Sequence, residues 1–345
     1  MLTFILLVTL IIIAATVACN QARKPIFGPK FEVLAFYEKG WNDLTYGYPS
    51  LTKHYKDFDI LIPYWYTVNQ DGSIDYSKIG YEQKVEDFAK KNKQFKLVPL
   101  FNNGKGSPDM LLDKNTRAAA VKNIVKKVTD HDYAGVNIDF ELLPPESKDG
   151  LTAFIGELSK ELKPKKKILS VSVFPKSDGV EELGAAYDYG ALSKYADFIT
   201  IMTYDKHSDS SEAGAIAPYD WVERNIAIAL KSIPKEKLTV CIGAYGYDWP
   251  VPASAGETEY IGLKEALQRA NQHGAKIQWD NSSQSPFYTY AADDGTKHEV
   301  WFESGSSASR KIALAKKYGL RGVAIWRIGF EDEDYWKSLL GAIKK

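Results

Sequence analysis

An α/β chain closed into a (β/α)8 barrel is the fold class that the sequence predicts, and three observations predict it. Eight short apolar or β-branched runs recur along the chain. Longer stretches with apolar residues at three-to-four spacing, the period of an amphipathic helix, lie between them. The length, 345 residues, suffices for one large α/β domain that buries most of the surface its unfolded form exposes. Successive β-then-α units of this kind point to a parallel sheet closed on itself, the TIM-barrel arrangement.

The strand runs are VLAFY (33–37), DILIPYWY (59–66), KLVPLFN (96–102), GVNIDFE (135–141), ILSVSVFP (168–175), FITIMTYD (198–205), LTVCIGAYG (238–246) and GVAIWRIG (322–329). Helices are expected over Val85–Lys93, Thr116–Thr129, Leu151–Leu162 and Trp221–Ser232. One connection breaks the rhythm, because residues 247–321 separate the seventh run from the eighth. This stretch holds a helical piece, LKEALQRANQHG, then IQWDNSSQSPFYTYAADDGTKHEVWFES, whose aromatic runs flank the turn Asp293-Asp294-Gly295. It reads as a small α+β insertion, residues 250–303, standing over the rim of a barrel that spans 31–345.

Ahead of the barrel, MLTFILLVTLIIIAATVA (1–18) is apolar with small residues before Cys19, and NQARKP follows; this reads as an export signal and a tether over 19–30. Three fates fit it. Ala18-Cys19 resembles a bacterial lipoprotein cleavage site, which makes Cys19 the point of lipid attachment, although Thr16 stands where such sites usually carry Leu and no Lys or Arg precedes the apolar run. Plain cleavage after Thr-Val-Ala is the second, and retention as a short membrane anchor, at the lower length limit for a span, is the third. All three place the barrel outside the cytoplasm, and two of them tie it to a membrane through the N-terminus.

Lys plus Arg equals Asp plus Glu at 44 each, which argues against nucleic acid or an anionic membrane as the main partner. Two cysteines make no disulfide framework, and Cys241, in LTVCIGAYG, reads as a small buried hydrophobe. No zinc spacing, HExxH, P-loop or dinucleotide fingerprint occurs, so neither a metal nor a nucleotide cofactor is expected. The expected state is a monomer. The 13% aromatic share, with 21 Tyr, serves a core and also suits the faces of sugars.

In YAGVNIDFELLPP (133–145) a period of two puts Val136, Ile138 and Phe140 on one face and Asn137, Asp139 and Glu141 on the other. Catalytic side chains of a barrel sit at the C-terminal strand ends, where Asp139 and Glu141 stand. Residues two apart on one strand face have backbones about 6.6 Å apart, so both carboxylates approach a substrate from the same side. The usual retaining glycosidase needs an acid and a nucleophile on opposite sides of the scissile bond, and an inverting one needs a base across the ring. Neighbours on one strand serve neither arrangement well. If Glu141 protonates the leaving oxygen, a 2-acetamido sugar supplies the attack through its own carbonyl oxygen, while Asp139 orients and stabilises the charged N–H side. The Asp139 charge also raises the pKa of Glu141 toward the range a general acid needs. On the residues alone, rim carboxylates that hold loops by hydrogen bonds fit as well.

GVNIDFE resembles the DGxDxDxE signature of glycoside hydrolase family 18, and the likeness extends over about residues 31–340. It runs through IPYWYTVNQDGSI after the second strand, IMTYD on the sixth, IAPYDWVE opening the next helix, GAYGYDW on the seventh, QSPFYTY and HEVWFE in the insertion, and YGLRGVAIWRIG on the eighth. The combination is most similar to the bacterial branch associated with spore germination and cortex lysis, whose members act as N-acetylglucosaminidases on peptidoglycan. The resemblance implies that Glu141 is the general acid/base, that Asp139 orients the acetamido group, and that Tyr204 hydrogen-bonds its attacking carbonyl. It implies Trp326 as the platform under the sugar in the cleavage subsite, Asp205 as a partner of a sugar hydroxyl, and Met202 as packing in the same motif.

Two positions depart from the signature. Ala134 replaces its first Asp, a structural position, and Asn137 replaces its middle Asp, the partner that exchanges a proton with the residue at Asp139. Asn137 stays among the substrate-binding candidates, and without that partner Asp139 is expected to remain ionised over more of the cycle. Tyr37, Trp65, Asn102, Tyr245 and Asp248 are further candidates for the cleft; Trp249, Trp279 and Trp301 are candidates for the insertion wall. The implied activity is retaining, substrate-assisted cleavage of β-1,4 linkages after N-acetylglucosamine in peptidoglycan, spore cortex or its fragments. Chitin or chitooligosaccharide hydrolysis is the alternative, and a non-catalytic sugar-binding barrel a third; binding-only members typically lose the acid, and Glu141 is present.

Overall fold

Eight parallel strands close into a ring: Glu32–Tyr37, Ile60–Val68, a third made of Lys96–Leu97 and Leu100–Asn102, Gly135–Asp139, Ile168–Val173, Phe198–Met202, Leu238–Gly243 and Gly322–Ile328. The eighth pairs with the seventh and the first, and the first pairs with the second, so no edge remains. This is the (β/α)8 barrel expected from the runs. The computed structural model describes residues 30–39, 46–77, 80–104, 108–177, 181–253 and 257–344; the export segment 1–18, Cys19 and the tether up to residue 29 lie outside the described residues. Among the described residues, no helix is long and apolar enough to cross a membrane.

Each strand is followed by a helix that covers it, beginning with Gly47–His54 and Gln83–Lys91 and ending with Gly305–Lys317 and Glu333–Lys344. Period two sorts the strand side chains into two cores. Leu34, Phe36, Ile62, Leu100, Phe198 and Cys241 fill the barrel interior. Val33, Ala35, Val136 and Ile138 point outward into the helix-facing core, where Leu151, Phe154 and Leu158 of the helix Lys148–Leu162 are fully buried. Burial of each such side chain stabilises the fold by about 1.5–3 kcal/mol. Gly135 opens the fourth strand because a Cβ there would lie 2.2 Å from the Ile168 carbonyl oxygen, so only glycine lets the fourth and fifth strands approach.

Three runs fold differently from their reading as single strands. The third is split because Pro99 has no N–H to give the ladder; the bonds around it come from Val98 N–H to Leu61 O and Asn137 N–H to Pro99 O. The second shifts register between Tyr64 and Tyr66, which turns Trp65 and Tyr66 both into the outer core. The seventh ends at Gly243, and Tyr245–Val251 belongs to a second sheet.

That second sheet is the insertion, which therefore starts at Tyr245 and not at 250. Its five antiparallel strands lie in the order Glu259–Gly262, Tyr245–Val251, Lys297–Phe302, Ser285–Ala291, Gln278–Asp280. Gly246 makes the departure possible, since a Cβ there would meet the Trp301 carbonyl oxygen at 2.1 Å. Apolar character continues across the junction, so the pattern carries no mark of it. The helix Leu263–Gln272 supports the sheet through Arg269, whose Nη1 donates to Asp248 at 2.5 Å, while Tyr290 and His298 reach Asp248 from the sheet, each at 2.7 Å.

Candidate active site

Strand alternation delivers Asp139 and Glu141 to the barrel mouth, and three neighbours hold them there. Phe140, between them, points outward and stacks on Phe154 with ring centroids 5.3 Å apart. The Tyr187 hydroxyl donates to the Phe140 carbonyl at 2.6 Å. Asn103 grips the next residue from both sides: the Glu141 N–H donates to its Oδ1 at 2.9 Å and its Nδ2 donates to the Glu141 carbonyl at 2.8 Å. The carboxyl groups of Asp139 and Glu141 lie close enough for each to shift the other's ionisation.

Asp139 is 3% exposed, and its Oδ1 is buried with no partner at hydrogen-bonding geometry. Burial pushes its pKa up to about 7, against the pull of hydrogen bonds from Glu141 and Ser172. Glu141 is pushed well above the usual carboxylate range, first by burial and then by the charges of Asp139 and Asp205. The expectation that Asp139 would stay ionised longer for want of an acidic partner thus meets a larger opposing effect, because a dry environment disfavours its charge. In this pair Glu141 keeps the proton to higher pH.

Asn137 sits one layer below. It is fully buried, its Nδ2 donates to Ser170 Oγ at 3.0 Å, and its Oδ1 accepts from Ser172 Oγ at 3.1 Å. Both ends of its amide are engaged, so it supports the interior and does not line the cleft. Ser172 bonds Asn137 and favours the charged form of Asp139.

Tyr204 and Asp205 follow the sixth strand. Tyr204 meets Tyr245 edge-on with centroids 5.8 Å apart and lies 6.5 Å from Trp326. Burial and the negative charges of Asp139, Glu141 and Asp205 raise its pKa, so it is a neutral phenol facing that cluster. Asp205 takes a positive φ of 58° and accepts from the hydroxyls of Tyr245 at 2.6 Å and Tyr247 at 3.2 Å. Its pKa is pushed up to about 6 by burial. Trp326 is half-buried over Phe36, 5.3 Å away. Met202, a substrate-binding candidate from the same motif, is 5% exposed.

Several sequence-predicted residues lie elsewhere. Tyr37 points outward and donates to Glu82, and Trp65 is 1% exposed in the outer core. Asn102 closes its own loop, accepting from Gly104 N–H at 2.7 Å and donating to the Tyr66 carbonyl at 2.8 Å. Asp248 is the hub of the insertion described above and is 1% exposed. Trp249 is fully buried and donates to the carbonyls of Ser208 and Ser211. Trp279 is half-buried on the short strand Gln278–Asp280. Trp301 stacks on Phe287, 4.5 Å apart at 14°, on the sheet face that also carries Tyr247 and Tyr260.

Other residues enter the site without having been singled out. Tyr64 points inward, and after burial the charges of Asp139 and Glu141 are what raise its pKa. Counting by two from Ile60 and Ile62 would have found it; the indole of Trp65 drew attention one position too far. Ser170 and Ser172, two hydroxyls in an otherwise apolar fifth strand, carried a similar signal. Asn103 and Tyr187 carried none. Among the described residues, no group of three or more His, Cys, Asp or Glu is placed to hold a metal ion.

The profile of glycosyl hydrolases family 18 matches residues 32–331. The chain belongs to this family. Within family 18 it is similar to an uncharacterized glycosylase, YvbX, of Bacillus subtilis, 31% identical over 86% of this chain and 88% of that protein. It is 29% identical to the cortical fragment-lytic enzyme of Bacillus subtilis, covering 67% of this chain and 54% of that protein, so the match spans about half of that relative. A solved chitinase from Chromobacterium violaceum superposes with a TM-score of 0.84 and 27% identity, over 92% of this chain and all of that one. The chain is thus a family 18 glycosidase whose relatives include both a cortex-lytic enzyme and a chitinase.

Proposed function

We propose that this chain is a retaining β-N-acetylglucosaminidase that cleaves β-1,4 linkages after N-acetylglucosamine in peptidoglycan, with spore cortex or its fragments as substrate, by neighbouring-group attack. The observation that carries the mechanism is the buried, unpartnered Oδ1 of Asp139 beside a Glu141 that retains its proton. Such an acceptor is matched by a substrate N–H, and an acetamido group provides one. Glu141 gives its proton to the glycosidic oxygen as the C1–O bond breaks. The acetamido carbonyl oxygen bonds to C1, its N–H donates to Asp139, and the Tyr204 hydroxyl donates to that oxygen before it attacks. Water then attacks C1, Glu141 takes a proton from it, and the acetamido group returns, leaving the anomeric configuration as it began. Trp326 supplies the apolar face for the distorted ring.

The likeness to a cortical fragment-lytic enzyme supports peptidoglycan as the substrate. The alternative, chitin or its oligomers, is favoured by the superposition on a chitinase; both polymers offer the required sugar. Mass spectrometry of digests of purified cortex fragments and of chitin oligomers separates them. Cortex products ending in reducing N-acetylglucosamine are expected, and cleavage of chitin alone would reverse the assignment. Glu141→Gln should lower turnover by about 10²–10⁴-fold while binding persists, and glycans with a free 2-amino group in the cleavage subsite should not be cut. In this proposal the apolar segment 1–18 carries the barrel outside the cytoplasm, where lipidation at Cys19 or retention of the segment holds it at a membrane and plain cleavage releases it.

A further inference from the structure

The net charge of zero conceals a polarised molecule. Loops that enter parallel barrel strands all lie on the rim opposite the active site. Here the loops into the third, fifth and seventh strands read KNKQFK (91–96), KPKKK (163–167) and KSIPKEK (231–237), with Glu236 their one acidic residue. Lys96, Lys163, Lys165, Lys166, Lys231 and Lys235 are exposed and make no ion pair with a described residue. The acids near this rim are already engaged: Asp132 pairs with Lys167, Asp130 with Lys126 and Glu32 with Arg321, and Asp197 accepts the Leu169 N–H. Beneath the fifth strand, Lys163, Lys166 and Lys167 line a cavity of about 190 Å³ together with Asp197 and Tyr195. The mouth lacks such a cluster: Asp139, Glu141 and Asp205 are held in the cleft with raised pKa values, and of EDED (331–334) after the eighth strand Glu331 is buried and Glu333 pairs with Lys53.

We infer that the basic rim is a docking surface for an anionic phospholipid bilayer, holding the barrel base-down with the active site facing away. Charge complementarity is the first ground. Chain connectivity is the second: the first strand begins on this same rim at Glu32, and the apolar segment 1–18 precedes it by a tether, residues 19–30, that reaches at most about 40 Å. A polybasic patch adds to the hold that the N-terminal segment supplies and fixes which face of the barrel meets the surface. Each lysine within a Debye length of anionic headgroups adds attraction, so the basic rim sets the orientation. The whole-chain balance of 44 against 44 is therefore compatible with an anionic membrane partner, contrary to the expectation drawn from composition.

The test uses the full chain reconstituted on phosphatidylcholine vesicles with or without phosphatidylglycerol, acylated from outside with a lysine reagent and read peptide by peptide. On anionic vesicles the lysines of 163–167 and 231–237 should be protected by about threefold or more relative to Lys148 and Lys264 on the other side, and high salt should abolish the difference. Combined Lys163→Glu, Lys165→Glu and Lys166→Glu should remove the protection of the lysines of 231–237 while hydrolysis of a soluble substrate is unchanged, which also shows that the variant folds; the milder Gln triple serves if it does not. Equal protection on zwitterionic vesicles, or protection that survives the substitutions, would overturn the inference. So would tighter binding of soluble polyglycerol phosphate than of anionic vesicles, which would assign the rim to a wall polymer.

Discussion

The Asn103 side chain holds the backbone of Glu141 at both its N–H, 2.9 Å, and its carbonyl, 2.8 Å. A carboxylic acid at the open end of a strand is thereby fixed as firmly as one inside the ladder, although it is the residue after the chain has left the barrel. Asn103→Ala should lower kcat by about 10-fold or more, by letting the acid move off line. KM should change little, because the substrate contacts remain. Asn103→Asp keeps the acceptor and loses the donor, so it should fall between the two; steady-state kinetics on a chromogenic N-acetylglucosaminide decide it.

Ser172 donates its hydroxyl to Asn137 Oδ1 at 3.1 Å and lies beside Asp139, whose charged form it favours. A hydrogen bond to the carboxylate favours its charged form, so Ser172→Ala should raise the pKa of Asp139 further. Under the proposed mechanism Asp139 must be anionic. The acid limb of kcat/KM should therefore move up by about 0.5–1 pH unit, with activity reduced near pH 6 and little changed near pH 8. A pH profile of wild type and variant measures it.

Burial raises the folded-state pKa of Asp139 from 3.8 to about 7. Such a group favours the fold when protonated, and the stability it contributes is present in full below its unfolded pKa and lost as pH rises through the folded one. Asp139→Asn removes that ionisation at nearly constant shape. It should stabilise the protein at pH 8 by on the order of 4 kcal/mol and by almost nothing at pH 4, while activity is lost. Thermal unfolding at the two pH values tests it; equal effects at both would separate Asp139 from the buried charge assigned to it.

Tyr64 and Trp65 face opposite ways across one strand. Tyr64→Phe should lower kcat/KM by about 3–10-fold, because it removes a neutral hydroxyl facing the two carboxylates, and leave stability near wild type. Trp65→Phe should do the opposite, costing about 1–3 kcal/mol of stability with kinetics intact. Urea denaturation beside steady-state assays distinguishes the pair.

Most of the barrel was legible in the chain, because burial on both sides makes each strand a short apolar run and each covering helix an amphipathic one. The clustered aromatic and acidic residues near Asp139, Glu141, Tyr204 and Trp326 were legible through the family signature and through strand alternation. The errors have a common origin. Tyr37, Trp65, Asn102, Asp248 and Trp249 are residue types that bind sugars, and type alone does not say which face of a strand a side chain occupies or whether its polar atoms are already engaged. Alternation from Ile60 leaves Tyr64 in the cleft and sends Trp65 outward, and a one-residue register shift turns Tyr66 outward as well.

The sequence by itself determined the alternation of strands and helices and the placement of two carboxylates on one strand face, since both follow from local periodicity. Only the tertiary structure decided that Asp139 is dry and short of one partner, that Asn103 and Ser172 tune the pair from neighbouring strands, and that lysines scattered over three distant loops form one rim. Those properties depend on distances between residues far apart in the chain, and such distances exist only once the barrel has closed.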